Sequence, residues 1–205
     1  MADTIRLGIS SCLLGNLVRY DGGHQHDRYL TDILGPYVEY IAVCPEVECG
    51  LGIPREALHL VGDPEAPRLV TTKSAIDHTE RMRSWAVEHL QRLAQEDLDG
   101  FIFKKGSPSS GMERVKVYTD QSMPRKIGAG IFARTFMERF PSLPVEEDDR
   151  LYDPGLRHQA SGISRFILRK SSRLSKKIST SAGSKCCPRS SLTRASIFSM
   201  GQAAL

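Results

Sequence analysis

Two short apolar segments restrict the fold of this chain more than any other feature. A turn that carries a cysteine follows the first segment, and the second segment ends at a cysteine. Thr4–Ser10 ("TIRLGIS") and Tyr37–Cys44 ("YVEYIAVC") have the length and the residue types of buried β-strands. The segment between them, "HDRYLTDILGPYV", predicts a short helix that ends at Gly35-Pro36. A strand, a helix and a second strand in this order are typical of a parallel sheet.

The same alternation continues through the middle of the chain. The clearest helix is predicted over Ser74–Gly100, where apolar residues recur at helical spacing, and a second helix over Gly128–Pro141. "PRLVTT", "FIFKK" and "LPVEE" indicate strands, whereas the Gly- and Pro-rich stretch "ECGLGIPREALHLVGDPEAP" predicts a loop. The sequence therefore predicts an α/β fold with a mainly parallel, Rossmann-like sheet flanked by helices in a single domain.

No segment of the chain predicts a signal peptide or a membrane span. The chain has 205 residues, of which 40% are hydrophobic and 25% charged, and nowhere do about 18 apolar residues follow one another. We therefore expect a cytoplasmic protein with no membrane partner. In reducing surroundings, its five cysteines are more typical of metal binding or catalysis than of structural disulfides.

Charge divides the chain near residue 157. From Arg157 to the end there are ten Lys and Arg residues and no Asp or Glu, which leaves 18 basic against 24 acidic residues, a net charge of −6, before that point. We predict one domain over 1–157. Over 158–205 we predict a basic, Ser-rich tail that is disordered or is the remnant of a truncated second domain. A solvated tail is favoured over one that contacts RNA phosphates.

Three turn-like stretches, "SSCLLGNLVRYDGG", "VCPEVECGLGIPRE" and "FKKGSPSSG", each follow a predicted strand. Loops at the strand ends of an α/β sheet converge on one edge, where ligands bind. Together these loops supply the following thiols, carboxylates, cations and hydroxyls: Cys12, Cys44, Cys49; Asp21, Glu46, Glu48, Glu56; Arg19, Arg55, Lys104, Lys105; Ser107, Ser109, Ser110. Such a set predicts an active site.

The cysteines of these loops allow two interpretations on spacing alone. Cys44 and Cys49, with four residues between them, could share a metal or a cluster with Cys12 from the neighbouring loop. Three thiolates without a nearby histidine suit iron–sulfur ligation better than a closed zinc site, which takes four ligands. Isolated cysteines at strand ends are, however, usually packed thiols. The residues by themselves favour packed thiols and leave the metal interpretation open.

The three loops, in this order, resemble the signature loops of the thiouracil desulfidase family. The matching stretches are "ISSCLLGNLVRYDGG", "VCPEVECGLGIPRE" and "SPSSG", and the similarity extends from about Ile5 to Arg157. The resemblance implies an oxygen-independent, non-redox desulfuration, in which a [4Fe-4S] cluster held by three cysteines captures the sulfur of a thiocarbonyl base. A thiolated nucleobase or nucleoside is then the expected partner.

At one ligand position the chain departs from many members of that family. Those members carry the third cysteine in an "SPSCG" loop, where this chain has Ser110, and commonly lack a cysteine where this chain has Cys49. The departure implies a relocated ligand: Cys12, Cys44 and Cys49 would bind the cluster, and Ser110 would position substrate.

The combination of "VECGL" and "SPSSG" is similar to the two-domain branch of the family, which is associated with removing sulfur from 4-thiouridine in tRNA. After "DPGLR", where that branch continues into a helical domain, this chain has its basic tail. The expected substrate is therefore 4-thiouridine in tRNA or, without the second domain, a free thiolated base or nucleoside.

Within this resemblance, the carboxylates receive an order of preference. Glu46, beside Cys44, is the expected base that activates water, with Asp21 second and Glu48 third. The other expected substrate contacts are Ser107, Ser109, Ser110, Arg19 and Lys104. Without the resemblance, Arg19 and Asp21 in "RYDGG" are better explained by a solvated pair in an ordinary turn.

Two other function classes remain open from the sequence. A non-catalytic iron–sulfur or zinc protein that senses redox state or binds RNA would show metal binding without sulfide release. A hydrolase with Cys12 as its nucleophile would stay active after complete removal of iron. This second alternative ranks last, because no histidine occupies an obvious partner position.

Overall fold

A computed structural model of the chain describes residues 4–119 and 123–152. The predicted basic tail, the predicted domain boundary at residue 157, and both Cys186 and Cys187 lie outside the described residues. The strands are β1 (Ile5–Ser10), β2 (Val38–Val43), β3 (Leu58–Val61), β4 (Arg68–Thr71), β5 (Gly100–Phe103), β6 (Val115–Tyr118), β7 (Arg125–Gly128) and β8 (Val145–Glu147). The α-helices are α1 (Thr79–Leu93) and α2 (Ile131–Arg139).

Short helical turns complete the description of the chain. They are the 3₁₀ turns Ser11–Leu14, Gly35–Tyr37 and Asp148–Tyr152 and the π-helical turns Tyr29–Leu34 and Val47–Leu51. The predicted helix between β1 and β2 is thus present as two consecutive short turns. Among the described residues, no helix combines the length and the apolar character that crossing a membrane requires.

The strands form two four-stranded sheets. The first has the order β2-β1-β5-β8, and all of its neighbouring strands are parallel. The second has the order β4-β3-β6-β7 and is mixed, with β3 parallel to β6 and the two outer pairs antiparallel. The predicted α/β class with a mainly parallel sheet is confirmed.

Sequence patterns do not predict most of the second sheet. β4 coincides with the predicted strand "PRLVTT", but the prediction of loop is wrong at β3, and β6 and β7 carry no sequence prediction. These strands are four residues long, so a two-residue alternation has little length in which to stand out. β6 does alternate, with Val115 and Val117 buried and Lys116 and Tyr118 exposed, but a run of four residues is too short to be distinctive in the sequence.

The long helix is shorter than the predicted range Ser74–Gly100. The N–H of His78 donates to the carbonyl of Leu69 (2.8 Å), so the chain just before α1 still pairs with β4. Gly100 does not end a helix but begins β5. Backbone pairing with the sheet therefore outweighs the helical spacing of the flanking residues.

Apolar side chains cover both faces of the first sheet. Phe101 and Phe103 of β5 point into a core cluster that both sheets and both helices share, whereas Ile102 points into a second cluster with Leu7 and Ile9 of β1. A parallel sheet needs this cover on both faces. Because β1 pairs in parallel with both β2 and β5, the carboxyl ends of these three strands lie side by side at one edge of the sheet. This brings the three predicted site loops together.

Gly8→Ala is expected to destabilise the protein. A Cβ at Gly8 would lie 2.2 Å from Cδ2 of Phe101 on the adjacent strand, and the ring is enclosed by Phe132 and Phe136. Overpacking of such a core costs about 1–3 kcal/mol, which a lower urea midpoint of unfolding would measure. Gly35→Ala is the matched control, because its Cβ would come no closer than 3.4 Å to another group. Equal midpoints for the two variants would contradict this account.

Candidate functional site

The three loops surround one cavity of about 230 Å³ at the carboxyl edge of the first sheet. The predicted site residues that line it are Cys12, Cys44, Glu46, Arg19, Lys104, Ser107, Ser109 and Ser110. Asp21 and Cys49 do not line it, and neither does Glu48. The three loops therefore converge at one edge of the sheet, as expected for loops at strand ends. Eight of the predicted site residues line the cavity, whereas Asp21, Glu48 and Cys49 do not.

Cys12 lies in the 3₁₀ turn that directly follows β1. Its carbonyl accepts hydrogen bonds from the N–H groups of Gly15 (3.3 Å) and Gln25 (2.9 Å). Gly15 has φ of 89°, a left-handed conformation that glycine adopts without steric cost. The turn therefore holds the Cys12 backbone by two bonds while the residue faces the cavity.

Cys44 follows the last residue of β2 and is held by Glu48. The Cys44 N–H donates to Oε1 of Glu48 (2.7 Å), and the Glu48 N–H donates to the Cys44 carbonyl (2.9 Å). The Cys44 thiol lies 3.8 Å from the carbonyl oxygen of Val18 in the first loop. The second loop is thus closed on itself at Cys44 and touches the first loop through the thiol.

Cys49 is placed differently from the other two thiols. It is 8% exposed and belongs to the core cluster, and its thiol donates to the carbonyl of Glu46 (3.4 Å). Within residues 4–119 and 123–152, no three side chains of His, Cys, Asp or Glu converge in a metal-binding arrangement. All three cysteines of the loops are free thiols.

Burial governs the protonation of these thiols. It raises the pKa of both Cys12 and Cys49 to about 11 and also raises the pKa of Cys44. The positive charge of Lys104 opposes the shift at Cys12, whereas the nearby Cys44 adds to the shifts of both other thiols. The cysteines are therefore protonated thiols at neutral pH, and a metal that bound them would displace protons.

Glu46 is the carboxylate that the cavity presents. Its Oε2 accepts from Nε of Arg55 (3.0 Å) and also from an Nη of the same side chain, and its Oε1 accepts from the hydroxyl of Ser109 (2.8 Å). Arg55 is nearly buried and also donates to the carbonyls of Val18 (3.1 Å) and Gly52 (3.0 Å). The carboxylate of Glu46 is therefore fixed from two sides.

In the sequence, Arg55 is one of several cations in the three loops and has no distinguishing role. Its only sequence signal is its place in "GIPRE", and the pattern does not say which carboxylate it meets. In the structure it lines the cavity and joins the first and second loops through Glu46 and Val18. Sequence reasoning missed this residue because its partners are set by tertiary contacts.

The serine loop is anchored from behind. The Ser109 carbonyl accepts from the N–H groups of Phe132 and Ala133 in the first turn of α2, and a Cβ at Gly130 would lie 2.4 Å from that oxygen. The hydroxyl of Ser107 accepts from the N–H of Ser110 (3.1 Å). The first N–H groups of α2 are thus bound to the serine loop and are not free to bind a ligand in the cavity.

The two cations predicted to contact substrate, Lys104 and Arg19, are both held by protein partners. Lys104 Nζ lies 2.6 Å from Oδ2 of Asp148, and a guanidinium nitrogen of Arg19 donates to Gln25 (3.0 Å). Asp21 is about half exposed, accepts from the N–H of Gly23 (3.0 Å) and lies 3.7 Å from Arg19. Asp21 thus takes the position of a solvated turn residue outside the cavity.

These features define an α/β protein with a cavity at the edge of a parallel sheet, lined by two free thiols, an arginine-bound carboxylate and a serine loop. The model of the 2-thiouracil desulfurase family matches residues 7–148. The chain belongs to the 2-thiouracil desulfurase family, and the resemblance seen in the three loops is confirmed.

A solved structure supports the same relationship. A protein described as the [4Fe-4S]-dependent thiouracil desulfidase TudS is 29% identical to this chain, with a TM-score of 0.60. The match covers 75% of this chain and 97% of that one. Comparison with curated proteins gave no match.

Proposed function

We propose that this chain is a desulfidase that replaces the sulfur of a thiolated pyrimidine by oxygen. The observation that carries the proposal is the meeting of Cys12, Cys44 and Glu46 at one cavity in a chain of this family. In the reaction, water supplies the oxygen of the new carbonyl, and the sulfur leaves as sulfide. No electron is gained or lost, so the reaction is hydrolytic and needs no redox partner.

We further propose a [4Fe-4S] cluster as cofactor, as in the similar solved structure. The donor set fits, because soft thiolates suit iron–sulfur clusters and Cys12 and Cys44 are unpaired thiols at the cavity. Cys49 is the proposed third ligand, a role that requires its thiol to leave the Glu46 carbonyl. When bound, the cluster would supply a Lewis acid that attracts the thiocarbonyl sulfur.

The protein side chains would bind the base and handle the proton. Glu46 would accept the proton of the attacking water at Oε1 or Oε2, and Arg55 and Ser109 would keep that carboxylate oriented. Ser107 and Ser110 would hold the polar edge of the ring. Arg19 and Lys104, which line the same cavity, would steady negative charge as it develops.

The size of the cavity favours a single base as the group that enters it. At about 230 Å³ it is smaller than the roughly 300–1,000 Å³ that hold drug-sized ligands, and a cluster bound by Cys12 and Cys44 would take up part of it. A ribose, or the rest of a tRNA that carries 4-thiouridine, would remain at the mouth. Free thiouracil, 4-thiouridine and thiolated tRNA therefore all stay within the proposal. A cytoplasmic location belongs to it as well, since reducing surroundings keep the thiols free.

One anaerobic experiment tests the proposed function. The full chain is reconstituted with iron and sulfide, freed of excess reagent, and incubated with 4-thiouracil, 4-thiouridine or thiolated tRNA, with uracil as the control. We expect a brown protein that releases sulfide from at least one thiolated substrate and none from uracil. A loaded protein that releases no sulfide from any of them would favour the non-catalytic alternative. Full activity after removal of iron would favour Cys12 as a nucleophile.

A further inference from the structure

The backbone of Cys44 has no free polar group. Glu48 accepts the Cys44 N–H at 2.7 Å and donates its own N–H to the Cys44 carbonyl at 2.9 Å. The reciprocal pair resembles the capping boxes that fix the first turn of helices. With both backbone groups engaged, the thiol is the one polar group of Cys44 that can turn toward a ligand in the cavity.

The side chain of Glu48 also lies against the long helix. Its Oε2 lies 3.4 Å from Nδ1 of His89 on α1, and the same nitrogen lies 3.4 Å from an Nη of Arg92. The imidazole of His89 stacks on Trp85 with ring centroids 4.6 Å apart and lies close to Phe132 in the core. Burial lowers the pKa of His89 to about 4, so its ring is neutral at pH 7 and the contact with Glu48 is not an ion pair. The carboxylate of Glu48 therefore touches α1, and its hydrogen bonds are to the backbone of Cys44.

The position of Glu48 does not suit a reaction with substrate. It does not line the cavity, its side chain is about one-third exposed, and one of its oxygens is committed to the Cys44 N–H. Groups that hydrogen-bond to a metal-ligating residue without binding the metal themselves commonly set both the orientation of the ligand and the metal affinity of the site. The geometry therefore distinguishes the role of Glu48 from that of Glu46, although both residues closely follow Cys44 in the chain.

We propose that Glu48 is a positioning residue that holds Cys44 in place as an iron ligand. This inference rests on the proposed function, because it requires a cluster that Cys44 binds. The hydrogen-bond acceptor for the Cys44 N–H is the essential element, and the amide oxygen of a glutamine can supply it equally well. Without the acceptor, the backbone of the loop at Cys44 is no longer fixed, and the Cys44 thiolate dissociates from the metal more readily.

The experiment measures how fast the reconstituted full chain loses its cluster to an iron chelator under anaerobic conditions. Glu48→Ala is expected to lose it about 10–100-fold faster than the wild type. Glu48→Gln is expected to lose it at about the wild-type rate, because the acceptor remains. Glu88→Ala is the matched control: it removes the same charge from an exposed position next to His89 and should leave the rate unchanged.

Each outcome decides the inference. A wild-type rate in Glu48→Ala, or an equal acceleration in Glu48→Gln and Glu48→Ala, would overturn it. If Glu48→Ala does not fold, Glu48→Asp replaces it, since its shorter side chain cannot reach the N–H and should also accelerate the loss. A wild-type protein that takes up no iron overturns both proposals, whereas separated loss rates without sulfide release refute only the desulfidase reaction.

Discussion

Cys12→Ala and Cys44→Ala are each expected to lower sulfide release by more than about 100-fold and to remove most of the bound iron. Loss of a group that merely supports a metal ligand already costs about 10–100-fold, so loss of the ligand itself should cost more. The two thiols line the same cavity from different loops, and neither can take the place of the other. Iron content, visible absorption and sulfide release of the anaerobically reconstituted variants measure the effect.

Cys186→Ala is the control for this prediction. Cys186 lies outside the range 7–148 that matches the family, so its variant should keep both iron and activity. Iron and activity that persist in Cys12→Ala or Cys44→Ala would refute the assignment of these thiols. If Cys186→Ala lost as much iron and activity as Cys44→Ala, removal of any cysteine would have this effect, and the result would not support a role for the cavity thiols.

Cys49→Ala tests the relocated ligand separately. We expect the same loss of iron, because the serine loop carries Ser110 in place of a third cysteine. In the structure, the Cys49 thiol donates to the Glu46 carbonyl inside the core rather than facing the cavity. The variant therefore distinguishes a ligand that moves to the cluster from a thiol that stays in the core. Full iron content and activity in Cys49→Ala would leave Cys12 and Cys44 as the only protein thiols of the site among the described residues.

Glu46→Gln is expected to keep the iron and to lose turnover by about 10²–10⁴-fold, the usual contribution of a general base. The amide can still accept the hydroxyl of Ser109, but it cannot take a proton from water. It also leaves the nearly buried guanidinium of Arg55 without its counter-charge, which destabilises a protein. Iron content and the midpoint of thermal unfolding therefore have to be measured beside kcat.

Asp21→Asn is the matched control, because it makes the same chemical change in a half-exposed turn outside the cavity. Turnover should stay near that of the wild type. Unaffected turnover in Glu46→Gln together with a loss in Asp21→Asn would move the base to Asp21. Loss of iron in Glu46→Gln would instead mean that the carboxylate holds the second loop together.

Much of the site is predictable because its elements are local in the sequence. Cys12, Cys44 and the serine loop each follow a short apolar strand, and parallel strands place such loops at one edge. The roles of individual side chains are less predictable. Glu46 and Ser109 are 63 residues apart, and no local pattern indicates that their side chains form a hydrogen bond.

The sequence by itself determined the α/β class, the three loops at strand ends and membership of a family whose loops it resembles. Hydrophobic period and turn residues act over a few neighbouring positions, so they can be read without coordinates. Only the tertiary structure decided that a second, mixed sheet exists, that Arg55 binds Glu46, and that Asp21 and Cys49 lie off the cavity. These outcomes depend on contacts between distant segments, where burial and hydrogen bonding choose among partners that the sequence leaves equivalent.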